Sequence, residues 1–472
     1  MNKSKLVEVF YSLDAKEITK LRKFLLSPYF NKREDVWELF QYLCKTKESN
    51  RKALEKEQVH QALYPNSSYD DGQIRYAMSF LFKLIEQFLV IEDFQQQDLN
   101  PTLNLARVYR KRGLTKHFQQ TLNTTRAKNK KKSLRDIDYL EYEYQIESEA
   151  YFFSEEGERT ANKNLQELND ILDIRFIAQK LKQGCTLLAH ERISKIKYNK
   201  GILVKILEHI NDNIQLLEYP SIALYYFYYQ ATIQKENKTY FEAFKEQLTK
   251  SYDLFSMDEM RDLYRMAINY SIRQTNIKTT DYNRFLRETW ELYKVGIQKR
   301  FLFDHGYLSH FTFKNVVNNA LGLKEFSWLK EFIEVYSNFL HQEHKESYLN
   351  YGLAQLSFRQ KKYKEALSYL QILEGGDLYI KITTKVMYVQ IYYVLEEDDV
   401  LDSSLASFGA FVNRKDNLNY SKEYYKNFIR FTKKLINVNP FDKQEKALLL
   451  KEIQDVKALA ERSWLLEQLQ NL

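Results

Sequence analysis

The chain is poor in the two residues that turn a backbone sharply. Its 472 residues include only 12 Gly and 5 Pro, less than about a third of ordinary usage. Strand-rich folds reverse direction every few residues, and tight reversals draw on the freedom of Gly at positive φ or the fixed φ of Pro. Few reversals mean long helices joined by short loops. Apolar residues recur at helical spacing, no strand-like alternation is sustained, and heptads do not persist long enough for a coiled coil. The sequence therefore predicts an all-α protein. A chain of this length exceeds what one compact core accommodates, so several domains or an elongated array is expected. Aromatic residues at 15%, including 36 Tyr, exclude a disordered chain.

Residues 1–97 read as a small N-terminal helical domain. Asp14 and Glu17 make a D-x-x-E helix start, in which the Asp accepts from first-turn N–H groups and the Glu reaches back. Asn31 and Glu34 repeat the spacing after Pro28 has stopped the first helix. A further helix is expected around 55–63, broken by "YPNSS". Ile74, Ala77, Met78, Leu81, Ile85 and Phe88 then mark a central helix. The polar connector "QQQDLNP" (95–101) separates this domain from residues 98–472, where helices follow one another across polar loops such as "NKKKS", "RQKK" and "EGGD".

The most unusual stretch is "IALYYFYYQATIQKENKTYFEA" (222–243). Its uncharged core, Tyr219 to Gln234, is 16 residues long and contains Pro, Ser, Thr and Gln, whereas a spanning helix needs about 20 mostly apolar residues. No membrane insertion is expected. Ala231, Tyr240 and Ala243 are spaced by nine and three residues, and Ala354, Tyr363 and Ala366 repeat that spacing. A small residue on one helix, a short polar loop, a Tyr opening the next helix and an Ala three residues on together describe two antiparallel helices in close contact.

This pattern resembles the tetratricopeptide repeat, a helix–turn–helix unit of about 34 residues. "YGLAQLSFRQKKYKEALSYLQIL" (351–373) is the better match through Leu353, Ala354, Tyr363, Ala366 and Leu370; it departs at Asn350 and Ser357. "NNALGLKEFSWLKEFIEVY" (318–336) and "YVQIYYVLEEDDVLDSSLASF" (388–408) resemble further degenerate units. The resemblance implies an irregular α-solenoid over residues 98–472 that binds a protein or peptide on its concave face. That groove would be lined by Tyr225, Tyr228, Thr232 and Lys235 in one unit and by Tyr348, Tyr351, Gln355 and Phe358 in the other. The competing reading is that neighbouring helices cover these rings completely.

Charge supplies the rival hypothesis. Between Leu99 and Arg135 there are 11 basic residues and no acidic one, although the net charge of the whole chain is +8. Arg107, Arg110, Lys111, Arg112, Lys116, Arg126, Lys128, Lys130, Lys131, Lys132 and Arg135 could track a nucleic-acid backbone. Alternatively, the acidic stretch "DIDYLEYEYQIESE" (136–149) neutralises them across a hairpin. No nucleotide loop, nucleophile elbow or H-E-x-x-H motif is present. His341 and His344 could share a helix face, with His305 and His310 earlier, but further ligands are not evident. The chain is read as a non-enzyme without cofactor or metal. Cys44 and Cys185 suggest reduced, buried thiols. Glu8 and Asp14 interrupt any apolar leader, so a cytoplasmic protein is expected.

Overall fold

The computed structural model describes residues 1, 3–49, 54–155, 163–194, 196–234, 236–276, 281–373, 377–414 and 421–472. The fold is all-α, with 23 α-helices among the described residues. The only strands among them are Phe303–Asp304 and Tyr307–Leu308, a minimal antiparallel hairpin turning at Gly306. The chain divides into two compact units, Met1–Tyr226 and Phe227–Leu472.

In the first unit the helices are α1 (Lys5–Ser12), α2 (Ala15–Leu26), α3 (Glu34–Ser49), α4 (Lys56–Leu63), α5 (Asp71–Gln96), α6 (Asn100–Lys111), α7 (Thr115–Lys131), α8 (Ile137–Glu155), α9 (Leu165–Ser194) and α10 (Leu203–Asp212). The division falls within α11 (Pro220–Ile233). Asp14 and Glu17 form the expected reciprocal cap on α2, each bond 2.8 Å. Asn31 does not cap α3. Its amide instead accepts from Arg33 N–H and donates to the Leu25 and Arg33 carbonyls, which fixes the link, and α3 begins at Glu34. Residues 6–88 share one buried cluster, with Ile74, Ala77, Leu81, Ile85 and Phe88 of α5 inside it. Leu99, Leu103, Phe118 and Ile146 belong to a separate cluster formed by α6, α7 and α8. The expected boundary after residue 97 lies between these clusters, inside the first unit. "NKKK", expected in a loop, continues α7 as far as Lys131.

In the second unit follow α12 (Thr239–Lys250), α13 (Met257–Asn276), α14 (Tyr282–Gln298), α15 (His310–Leu323), α16 (Phe326–Tyr336), α17 (Gln342–Arg359), α18 (Tyr363–Ile372), α19 (Leu378–Val394), α20 (Asp398–Arg414), α21 (Ser421–Asn437), α22 (Lys443–Asp455) and α23 (Arg462–Asn471). From α13 on, helices pack chiefly on their neighbours in sequence; α17 also packs on α15, and α19 on α17. Ala354 and Ala366, the small residues of the 351–373 hairpin, are both fully buried in one cluster with Leu370 and Met387. Ala231 is also fully buried, and Ala243 half-buried.

Three successive hairpins turn by the same device. Lys324, Lys361 and Glu396 adopt φ of 60°, 60° and 57° within two residues of the ends of α15, α17 and α19. Each donates back to the third residue before it. The next residue donates to the fifth before itself, as in Glu325 N–H to Ala320, Lys362 to Ser357 and Glu397 to Tyr392. This double closure satisfies helix-end carbonyls and ordinarily uses glycine at the left-handed position. Among the described residues the α6–α7 turn does so, at Gly113 with φ 69° and the same bonds.

Candidate functional site

The left-handed turns set a common register for the helices before them. Asn318, Gln355 and Gln390 each stand six residues before the turn residue of their own hairpin, at intervals of 37 and 35. All three line one groove of about 600 Å³ in the second unit. Equal register on packed helices brings three amides into one row.

Each amide is oriented by a partner. Asn318 accepts from the Tyr351 hydroxyl at 3.1 Å and donates to the Tyr379 oxygen at 3.2 Å. Gln355 donates to the Met387 sulfur at 3.2 Å. Gln390 donates to the Glu461 carboxylate, also at 3.2 Å. Exposure falls along the row: Asn318 is exposed, Gln355 half-buried and Gln390 buried. Phe358, Val386 and Trp464 add apolar lining. Arg359 and Lys361 stand exposed at the α17–α18 turn, and Lys314 lies 4.0 Å over the Tyr379 ring. Arg462 is committed elsewhere: its guanidinium donates to the carbonyls of Ile453, Gln454 and Val456, closing the end of α22.

Of the eight residues expected along a groove, Gln355 and Phe358 line this one. Tyr348 and Tyr351 do not. They are 0% and 1% exposed, because α15 and α19 flank α17 and their side chains cover both rings. Tyr348 meets His310, His344 and Phe313, and its hydroxyl donates to Asp377 at 2.6 Å. Tyr351 lies between Asn318 and Tyr379. Burial raises the hydroxyl pKa of both, and the neighbours Asp377 and Tyr379 add to the shift. In the other repeat-like stretch Tyr225, Tyr228 and Thr232 are likewise buried. Tyr225 receives the Cys185 thiol on its carbonyl at 3.4 Å, and Tyr228 lies against Phe244. The aromatic run is thus core, and the correction has a simple cause: large rings at helical spacing lower the free energy most when a second layer covers them. Lys235 lies outside the described residues.

The basic segment is partly neutralised. Glu149, 3% exposed, accepts from Arg107 at 2.6 Å and Arg110 at 3.0 Å. Glu147 pairs with Arg126 at 2.9 Å and Asp98 with Lys132 at 3.1 Å. Arg135 donates to the carbonyls of Lys132 and Leu134 and lies over Tyr139. Lys111, Arg112 and Lys116 remain exposed near the start of α7, and Lys128, Lys130 and Lys131 in its last turns. Cations in a last turn complement the helix dipole.

The histidines do not converge as H-x-x-H spacing suggests. His341 stacks on Tyr307 at 4.1 Å, while His344 meets the His310 ring at 4.0 Å. Among the described residues no group of three or more His, Cys, Asp or Glu is placed to hold a metal ion. Cys185 is buried, whereas Cys44 is only half-buried. Among the described residues no helix is long and apolar enough to cross a membrane.

Sequence reasoning missed Asn318, Gln390 and Tyr379. Their signal was the interval to Gln355, which becomes readable once the turn rather than the Ala–Tyr pattern sets the register. No family model, curated protein or solved structure matches this chain.

Proposed function

We propose that this chain is a non-catalytic scaffold that binds a protein or peptide partner on the concave side of an irregular, tetratricopeptide-like solenoid. The observation that supports the reading is the row Asn318, Gln355 and Gln390 at one register in one groove. An amide both donates and accepts, and helix-borne amides held by neighbours lose little freedom when a ligand arrives. The packing of helices on their sequence neighbours agrees with a stacked array.

The rival is nucleic-acid binding through the exposed part of the basic segment: Lys111, Arg112, Lys116, Lys128, Lys130 and Lys131. One experiment separates the two. Tagged full-length protein is used as bait beside Asn318→Ala/Gln355→Ala and Lys128→Glu/Lys130→Glu/Lys131→Glu. A scaffold retains a discrete protein at both about 0.1 M and about 0.5 M salt, where exposed charges are largely screened, and loses it in the amide variant. Retention of RNA or DNA that falls steeply with salt, and is abolished in the lysine variant, overturns the proposal in favour of the rival.

A further inference from the structure

We infer that the groove is shaped for an extended, acidic polypeptide segment whose backbone carbonyls sit on the amide row. This rests on the scaffold reading and adds the conformation and charge of the ligand.

The conformation follows from spacing. Packed helices lie about 8–10 Å apart, so amides at one register on α15, α17 and α19 recur at that interval. An extended polyproline-type chain rises about 3.1 Å per residue with three residues per turn, so every third residue returns to the same face after about 9.3 Å. A β-strand returns to one face after about 6.6–6.8 Å and falls out of step. An α-helix repeats near 10.8 Å over two turns, but its interior carbonyls are already bonded within the helix. Only the polyproline-type conformation combines a matching repeat with free carbonyls.

The chain itself shows what an amide at this register takes. Gln390 donates to the carboxylate of Glu461, an oxygen acceptor supplied by the residue preceding α23. Gln355 has a sulfur as its partner, a weak acceptor that an incoming carbonyl outcompetes. Asn318 keeps one amide hydrogen beyond its bond to Tyr379 and is exposed.

The charge preference follows from the open end of the row. Arg359 and Lys361 flank Gln355, and neither pairs with a carboxylate among the described residues. Lys314 stands one turn before Asn318. The lining carries the cations Arg359, Lys361 and Arg462 against the carboxylates Glu461, which Gln390 engages, and Glu467, which lies toward Tyr363 at the start of α18. An acidic side chain at every third position meets this cationic rim, whereas a basic one is repelled.

The test uses full-length protein and two labelled peptides of equal length, repeats of Glu-Pro-Pro and of Lys-Pro-Pro, read by fluorescence anisotropy at about 0.15 M salt. The acidic repeat is expected to bind at least about tenfold more tightly than the basic one. Two ordinary hydrogen bonds lost in Asn318→Ala/Gln355→Ala weaken it by about tenfold or more. Arg359→Glu/Lys361→Glu inverts the charge preference, and unchanged circular-dichroism melting shows that the variants fold. Equal binding of the two peptides, no binding, or binding indifferent to the amide variant overturns the inference. So does a single-stranded oligonucleotide that competes for the groove. If the peptides fail while a captured protein is still lost from the amide variant, the ligand class is wrong and the scaffold reading stands.

Discussion

The hydroxyl of Tyr348 donates to Oδ2 of Asp377 at 2.6 Å, while Oδ1 of the same carboxylate accepts from the backbone N–H of Ile380 at 3.0 Å and caps α19. One side chain thus ties a ring buried on α17 to the start of the next hairpin. Tyr348→Phe keeps the packing and removes one hydrogen bond to a charged acceptor, so it is expected to cost about 1–2 kcal/mol. A double-mutant cycle with Asp377→Asn, followed by urea unfolding, measures the coupling; additive effects would show that the bond contributes nothing to stability.

The same corner makes the second unit acid-sensitive. Burial lowers the His310 pKa below its ordinary 6.5, with help from His344 and Lys314 and against Asp377 and Glu343. Burial would raise the Asp377 carboxyl, but the Tyr348 hydroxyl, the backbone N–H groups of Ile380 and Tyr379, and His310 together hold it below its ordinary 3.8. The unfolded chain therefore takes up a proton at His310 before the folded one does. Stability is lost as pH falls from about 6.5 to the lower folded value; the Asp377 contribution is lost further down, as pH passes below 3.8 through its folded value. Unfolding midpoints of His310→Gln should fall less between about pH 7 and pH 5 than those of the wild type. Parallel curves would refute the linkage.

The hairpin turns predict a stabilising substitution. A residue with a Cβ in the left-handed region is strained by roughly 1–2 kcal/mol, and glycine recovers this less about 0.5–1 kcal/mol of extra unfolded-state freedom. Lys324→Gly and Glu396→Gly are each expected to raise stability by about 0.5–1 kcal/mol. Gly113→Ala in the corresponding α6–α7 turn should lower it by a similar amount; an added Cβ there meets nothing within 4 Å, so the backbone alone decides. Thermal melts of the three variants check the pair of signs.

In the first unit, Glu149 is the carboxylate on which two arginines of α6 depend. Arg110 is largely buried and Arg107 half-exposed. Glu149→Gln replaces the charged acceptor that Arg107 and Arg110 share with a neutral one and is expected to cost about 2 kcal/mol, below the full value for breaking a wholly buried pair because Arg107 can reach water. Hydrogen exchange should show the loss in α6, α7 and α8 ahead of α1 to α5, whose core is separate.

How far the sequence discloses this molecule depends on which force placed each residue. Helices are legible because apolar periodicity and capping are local: Asp14 and Glu17 form their predicted bonds, and Ala354 and Ala366 are buried in one cluster. The acidic partner of the basic segment was legible as a stretch, since a following helix can fold back, but not as Glu149 alone. The burial of Tyr348 and Tyr351 was not legible, because it depends on α15 and α19, whose side chains reach α17 only in three dimensions. The turns hid for the same reason. Lys324, Lys361 and Glu396 carry no turn signature, and surrounding bonds impose a conformation that their chemistry resists.

Glu461 sits in a left-handed backbone conformation at the threshold of α23 and holds Gln390 with its carboxylate. The berths along the row of amides are consequently unequal. The one at Gln390 already has a tenant from the same polypeptide, whereas Asn318 faces the solvent, so a newcomer is received first at the Asn318 side.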